Sequence, residues 1–165
     1  MGLIFKLLYG IVGVIASLFA ILFIAGQLGM LRGTPPANLG VKEGKLKPPA
    51  KTPNSVSSQA SLYPDHPQRE YASIEPLAYT GDATAAMERL AGLIGNTGGC
   101  AVVQREGGYL YAQCSTRWLR FTDDLELWVD EANRVIQVRS SSRIGRKDFG
   151  VNRARVEALR AAFKA

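Results

Sequence analysis

The chain has 165 residues, a formal net charge of +6 and a mean hydropathy close to zero. That length suits one domain plus an appendage. The single histidine, His66, stands in a proline-rich stretch, and there are two scattered cysteines, Cys100 and Cys114. A zinc site and a histidine-dependent catalytic triad are therefore poorly supported, and we expect no metal or cofactor.

A long apolar run opens the chain. From Leu7 to Leu31 there is no charged residue, and Gln27 is the only strongly polar side chain. As a helix rising about 1.5 Å per residue, the run would reach roughly 37 Å, which exceeds a hydrocarbon core of about 30 Å. A signal peptide has a shorter apolar core, of about 7–15 residues, and a cleavage site flanked by small residues. We predict an uncleaved membrane anchor over residues 1–32, with the lipid bilayer as its partner.

The orientation of this anchor depends on the basic residues around it. Lys6 and the terminal amine precede the span, whereas Arg32 and four lysines between residues 42 and 51 follow it. When the basic residues are counted over a wide window, the positive-inside rule favours a cytoplasmic domain. When only the residues nearest the span are counted, the rule favours an exported domain. The short tail before the span is typical of a signal anchor. We predict a single-pass protein of the bacterial cell (inner) membrane with a periplasmic domain.

A proline-rich segment follows the anchor. Seven of the eight prolines fall between residues 33 and 70, with Gly, Ser and Lys among them. Proline lacks an amide donor and fixes φ, so this composition indicates a tether rather than a helix or a central strand.

The rest of the chain predicts an α+β domain. Asp82 is a good N-cap for a first helix, in which apolar residues recur at helical spacing. Strands with alternating apolar residues are predicted over 101–105, 109–115, 125–130 and 134–140. Asn152 is a natural N-cap for a last helix, which carries an apolar stripe. This order favours an antiparallel sheet with two helices packed on one face.

The two cysteines flank a predicted hairpin. If its loop has three residues, Glu106 to Gly108, Cys100 lies opposite Cys114 at a separation that a disulfide can close. Such a bridge would fit an oxidising compartment. A two-residue loop shifts the pairing by one and makes the bridge awkward, and two buried free thiols are the alternative.

Charge is unevenly distributed over the domain. Residues 139–164 contain eight basic and two acidic residues, whereas residues 73–138 contain five basic and nine acidic ones. A bipolar surface could meet anionic lipid, a phosphorylated ligand or an acidic partner, or the two halves could pair internally. Asp123 and Asp124 are adjacent on a strand and would point to opposite faces, so they cannot readily act as an acid/base pair.

The densest basic feature links the last strand to the last helix. Free amides at a helix N-terminus attract anions, and nearby arginines would strengthen that attraction. The anion-binding candidates are Arg139, Arg143, Arg146, Lys147 and Arg153. The alternative is structural, in which Arg143 and Arg153 pair with Asp123, Asp124 or Asp148 and hold the loop. The stretch has no nucleotide-binding fingerprint, and we expect no nucleic acid partner.

Three blocks of sequence resemble a known family. They are Pro53–Gln59 (PNSVSSQ), Phe121–Glu126 (FTDDLE) and Val138–Arg153 (VRSSSRIGRKDFGVNR). They resemble the bacterial and plastid family called domain of unknown function 1499 (DUF1499), over about residues 40–163. That family commonly has a cysteine where this chain has Ser55. The resemblance implies that the first block belongs to the domain, which places a Pro/Lys/Gly-rich linker at 33–50 and the domain at 51–165.

Two hypotheses for function remain. The first is a membrane-anchored, non-enzymatic binding or accessory module. Small residues at Gly13 and Ser17 and at Ala16 and Ala20 could bring a partner membrane protein close to the anchor. The second is a domain that binds an anionic small molecule or a lipid headgroup through residues 139–153, with or without catalysis. The sequence leaves open whether the protein is an enzyme.

Overall fold

The computed structural model describes residues 2–164, and its first element is an isolated apolar helix. Helix α1 (Gly2–Gln27) leaves most of its side chains exposed. Its mean hydropathy over the most apolar window is 2.7, and none of that window is buried. The helix is long and apolar enough to cross a membrane.

The remainder of the chain forms one mixed sheet-and-helix domain. Its elements are β1 (Ser55–Ser57), α2 (Arg69–Ala72), β2 (Leu77–Ala78), α3 (Ala83–Gly95), β3 (Cys100–Glu106), β4 (Tyr109–Ser115), β5 (Thr122–Asp130), β6 (Val135–Ser142) and α4 (Val151–Lys164). The strands run in the order β1-β6-β5-β4-β3, all antiparallel, and β2 also pairs with β6. The predicted α+β class is confirmed, and β1 and β2 are additions to it.

Helices α3 and α4 pack on one face of the sheet. Leu110, Leu127 and Ile136 point from three neighbouring strands toward Leu90 of α3 and Val156 of α4, and all five are fully buried. The alternation of apolar and polar residues along each strand places one set on this face. The Asp82 carboxylate accepts from the Ala85 amide at 2.8 Å, so the predicted cap of α3 is confirmed.

The opposite face of the sheet is covered by part of the expected linker. Leu46 is 1% exposed and packs with Tyr109 and Tyr111, and Leu39 and Val41 lie beside them. We call residues 39–50 the cover segment. The linker predicted at 33–50 therefore does not hang free over its whole length, because three apolar side chains bind it to the sheet.

The β3–β4 hairpin differs from the expected one. Glu106 pairs with Tyr109, so the loop has two residues, Gly107 and Gly108, both with positive φ. Positive φ at both positions suits a tight hairpin turn that follows the twist of the strands. Of the two alternatives for this loop, the structure has the two-residue one.

A bulge in β3 nevertheless restores the pairing of the cysteines. The register shifts between Val102 and Gln104, so Val103 is an extra residue without a partner on β4. Beyond it Cys100 faces Cys114, and the two are joined by a disulfide with Cα atoms 4.0 Å apart.

The disulfide gives a direct prediction for stability. The variant Cys100→Ala/Cys114→Ala should lose about 2–3 kcal/mol of unfolding free energy, because the bridge restricts the unfolded chain. Urea unfolding of the full chain in detergent, followed by tryptophan fluorescence, measures the loss. Dithiothreitol should lower the wild type to the level of the variant and leave the variant unchanged. A wild type that is indifferent to reductant would contradict the prediction.

Candidate functional site

Two ion pairs lie between the sheet and the cover segment. The Arg139 guanidinium donates to Glu126 at 3.0 Å, and both side chains are at most 5% exposed. The Arg143 guanidinium contacts Asp124 at 2.7 Å with both side chains at most 4% exposed. Burying a charge is costly unless it is paired and hydrogen-bonded, so these four side chains need a complete set of partners.

Two tyrosines supply further hydrogen bonds to the carboxylates. The Tyr109 hydroxyl donates to Glu126 at 2.9 Å, and the Tyr111 hydroxyl donates to Asp124 at 2.6 Å. Burial, together with the neighbouring carboxylate, raises the pKa of each tyrosine above its usual value. Burial alone would lower the pKa of Arg143, but its bonds with Asp124 outweigh that and raise it. The raised pKa values keep Tyr109 and Tyr111 neutral and Arg143 charged at neutral pH.

The cover segment completes the network from the other side. The Gly40 amide donates to Glu126 at 3.0 Å, and the Pro48 carbonyl accepts from the Arg139 guanidinium at 3.3 Å. The Ala50 amide donates to the Ser55 hydroxyl at 2.8 Å. Ser55 is 1% exposed, so it fixes the end of the cover segment to β1. The proline-rich cover segment does not pair as a strand, so its backbone amide and carbonyl groups are satisfied by these hydrogen bonds to side chains.

The adjacent aspartates serve opposite faces of the sheet, as expected from their alternation. Asp124 faces the cover segment, whereas Asp123 contacts the Arg155 guanidinium of α4 at 2.5 Å. Arg155 also donates to the Ser140 hydroxyl and to the side-chain amide oxygen of Asn152. Each carboxylate is engaged by an arginine, and the two cannot meet at one substrate atom.

The five anion-binding candidates fall into separate environments. Arg139 and Arg143 are paired with Glu126 and Asp124 in the buried ion pairs described above. Arg153 donates to the carbonyl oxygens of Tyr71 and Ser73, at 2.6 and 2.9 Å. Arg146 and Lys147 have exposed side chains. Of the structural alternatives, the pairing of Arg143 with Asp124 is the one that the structure contains.

A carboxylate of the protein occupies the N-terminus of α4. Asp148 accepts from the amides of Gly150 and Asn152, at 3.1 Å each, and from the Tyr71 hydroxyl. The helix begins at Val151, so Asn152 is not its cap. The amides of Gly150 and Asn152, which could otherwise attract a free anion, are satisfied by the Asp148 carboxylate, and the Val151 amide donates to the Asp148 carbonyl. Burial alone would raise the pKa of Asp148, but these hydrogen bonds outweigh it and lower the pKa.

Asn152 instead ties three elements together. It is fully buried, and its side chain bonds the Ser140 hydroxyl of β6 at 2.6 Å, the Ser142 hydroxyl and the Asn54 carbonyl beside β1. This contact joins the Pro53–Gln59 block to the Val138–Arg153 block. The first block is therefore built into the domain.

The C-terminal end of α1 packs on the β4–β5 loop (residues 116–121). The Gln27 side-chain amide donates to the Trp118 carbonyl at 3.0 Å, and the Phe23 and Trp118 rings lie 6.2 Å apart. A Cβ at Gly26 would come within 2.5 Å of the Leu119 carbonyl oxygen, so only glycine permits this approach. Sequence reasoning missed this contact. Its signal was the run Arg117 to Phe121, where aromatic and basic residues alternate as they do near membrane interfaces.

A recess of about 780 Å³ opens at the other end of the sheet. It lies between the start of α3 and the two hairpin turns, and Met87, Tyr109 and Trp128 form part of its wall. Burial alone would raise the pKa of Asp130 at its rim, but hydrogen bonds from Asn133 and Gln137 lower it. None of the predicted site residues lies in this recess.

Within residues 2–164, no group of three or more His, Cys, Asp or Glu is arranged to hold a metal.

The buried ion pairs predict an asymmetric response to mutation. Arg143→Met should lower the free energy of unfolding by about 3–5 kcal/mol, because it leaves Asp124 charged and buried. Arg143→Met/Asp124→Asn should recover most of that loss, since the amide still accepts from Tyr111 without a charge. Arg105→Met, which breaks a half-exposed pair with Glu88, is the matched control and should cost less than about 1 kcal/mol. Equal losses in the two single variants, measured by urea unfolding, would contradict this account.

Asp148 predicts a pH-dependent contribution to stability. Because its pKa is lowered in the folded state, the carboxylate stabilises the fold above its unfolded pKa of about 3.9. That stabilisation is lost as the pH falls through the lower folded pKa. The difference in unfolding free energy between the wild type and Asp148→Asn should therefore be constant from about pH 7 to 5 and shrink below about pH 4. Asp65→Asn, on an exposed turn, is the control, and a difference that stays constant to pH 2 would rule the effect out.

Comparison with known proteins identifies the family and no activity. A search of curated proteins found no match to the chain. Residues 45–163 match the sequence model of the family described as protein of unknown function (DUF1499), and they include both buried ion pairs. The match covers most of the chain, and the chain belongs to the DUF1499 family.

Proposed function

We propose that this chain is a single-pass membrane protein whose domain is a non-enzymatic binding or accessory module held at the bilayer surface. The observation that carries the proposal is the fit between α1 and the β4–β5 loop. Gly26 leaves no space for a side chain beside Leu119, and Gln27 bonds the Trp118 carbonyl. Cleavage of a signal peptide would remove a helix end that packs on the domain. The contact therefore favours an anchor that stays attached to the domain.

The surface of α1 supports the same proposal. Its large apolar residues from Leu3 to Ile24 are exposed, apart from Phe23 at the domain contact. Apolar surface of this extent is unfavourable in water and favourable in hydrocarbon. The Gly13 carbonyl accepts from the Ser17 hydroxyl within the helix, which satisfies the polar group that would otherwise face lipid.

The disulfide supports an exported domain. Bridges persist in oxidising compartments, such as the bacterial periplasm, and are rare in the cytoplasm. We therefore assign the domain to the periplasmic side of the inner membrane. The basic residues beside the span do not decide between a cytoplasmic and a periplasmic domain. The Cys100–Cys114 bridge is the feature that favours the periplasmic side.

An open sheet edge supports binding rather than catalysis. The ion pairs engage the carboxylates of Asp123, Asp124 and Glu126 with arginines of the domain. Strand β3, in contrast, is an edge strand whose residues after Cys100 are all exposed, with Val103 at 55%. An exposed edge can accept a strand from a partner protein. A membrane protein partner docked at β3 is the form of accessory role that we propose.

Membrane preparations from cells at native expression test the proposal in two stages. Intact mass should be that of the full 17.9 kDa chain, retained after alkaline carbonate washing, and protease added outside spheroplasts should degrade the domain. Loss of the first 25 or so residues would contradict the anchor, and full protection would contradict the periplasmic side.

Size analysis in mild detergent then tests the accessory role. The wild type should migrate in a complex larger than a monomer, and Val103→Lys should reduce that complex because a charge on the edge opposes strand addition. Leu62→Lys changes another exposed apolar residue (47%), away from β3, and is the matched control. A wild type that migrates as a lone monomer would contradict the accessory role.

A further inference from the structure

The end of the domain nearest α1 exposes both apolar and basic side chains. They lie on the β4–β5 loop and on the β6–α4 loop, residues 143–150. Their exposed members are Arg117, Trp118, Ile144, Arg146, Lys147 and Phe149. We call these six side chains the junction surface.

The topology places the junction surface where the chain leaves α1. Strands β4 and β6 end, and strand β5 and helix α4 begin, at the end of the sheet nearest α1. The end of α1 contacts Trp118, and Gly33, a few residues beyond the helix, lies against Ile144. Both loops are therefore adjacent to the point at which an anchored α1 would emerge from a bilayer.

The exposed charges of these two loops all have one sign. Residues 116–121 contain two arginines and no acidic residue, and residues 143–150 contain Asp148 as their single acid. Asp148 is buried, with its oxygens bonded to amides and to Tyr71. The charge of Arg143 is balanced by Asp124. What faces solvent is positive, which complements anionic headgroups.

Phe149 has no explanation within the domain. Its side chain is 92% exposed, and its backbone has a φ of 53°. An aromatic residue in the left-handed region is uncommon, and here the conformation presents the ring to solvent without contact to the core. Trp118 is likewise 58% exposed on the neighbouring loop. Aromatic rings flanked by basic residues are the composition that proteins use at the headgroup level of a bilayer.

Given the membrane anchoring proposed above, we propose that the junction surface docks on the anionic leaflet from which α1 emerges. Phe149 and Trp118 lie at the headgroup level, and Arg117, Arg146 and Lys147 contact lipid phosphates. The occupant of this surface is thus the bilayer, because the surface is continuous with α1 and has the complementary charge. The domain thus contacts the bilayer through the β4–β5 and β6–α4 loops in addition to its anchor.

An indole at position 149 reports on the docking. The variant Phe149→Trp in a Trp118→Phe/Trp128→Phe background has a single tryptophan, in a full chain reconstituted into vesicles. The vesicles contain phosphatidylcholine brominated near the headgroup, with or without about a third phosphatidylglycerol. We expect strong quenching of that indole in the anionic vesicles, and weak quenching in zwitterionic vesicles or at high salt. Trp118 itself is less informative, because its contact with Phe23 would place it near lipid without docking.

Charge variants in the same background test the role of the basic residues. Arg117→Gln/Arg146→Gln/Lys147→Gln should weaken docking by about fivefold per residue removed. Lys42→Gln/Lys45→Gln/Arg134→Gln removes the same charge from exposed residues outside the junction surface and should leave the quenching unchanged. Equal effects of the two triple variants would overturn a specific role for the junction surface.

Flotation of the same vesicles separates this inference from the anchoring on which it rests. A chain that floats with the vesicles but whose introduced indole is not quenched overturns the docking and leaves the anchoring in place. A chain that does not float overturns the anchoring and the docking together. Quenching of equal strength in zwitterionic vesicles would overturn the part played by anionic headgroups.

Discussion

The structure depends on two arginine–carboxylate pairs that are buried on one face of the sheet. Arg139 with Glu126 and Arg143 with Asp124 are nearly inaccessible to solvent, which is tolerable only if every charge is paired and hydrogen-bonded. The sheet alone would leave one side of these charges in water, which would solvate them. The cover segment shields that side by packing Leu46 on the tyrosines, and its Gly40 amide donates to Glu126 in place of water. The chain after α1 can therefore pack on the sheet because each charge that it buries has a partner.

This covering has a consequence for the position of the domain. If the segment after α1 were free, the domain could move tens of ångströms from a bilayer. With residues 39–50 packed on the sheet, only residues 28–38 separate the end of α1 from the cover segment. The contacts of Gln27 and Phe23 with Trp118 shorten the connection further. The same end of the domain presents the two loops of the junction surface, so anchoring and lipid contact would reinforce each other. The edge strand β3 and the recess at the far end of the sheet stay accessible.

Elements with a strong repeating pattern were predictable, and those defined by tertiary contacts were not. Helices α3 and α4 and strands β3 to β6 follow from the spacing of their apolar residues, because burial on one face imposes that spacing. Strands β1 and β2 are three and two residues long, too short to show a period. The cover segment has only Leu39, Val41 and Leu46 to mark it, among prolines and lysines that are typical of linkers. The site was predicted least well: charge density drew attention to five basic residues, but partners far along the chain engage three of them. The bulge at Val103 left no recognisable pattern either, and it alone lets a two-residue loop coexist with the Cys100–Cys114 bridge.

Amide hydrogen exchange detects whether the cover segment packs on the sheet. The amides of Gly40, Leu46 and Ala50 donate to Glu126, Gln59 and Ser55 within the fold. In the full chain in lipid nanodiscs, these amides should exchange orders of magnitude more slowly than in an unstructured peptide of the same sequence. Lys51 is an exposed residue, and its amide provides an internal reference for the free rate. Exchange over residues 40–50 at the rate of the unstructured peptide would contradict the account.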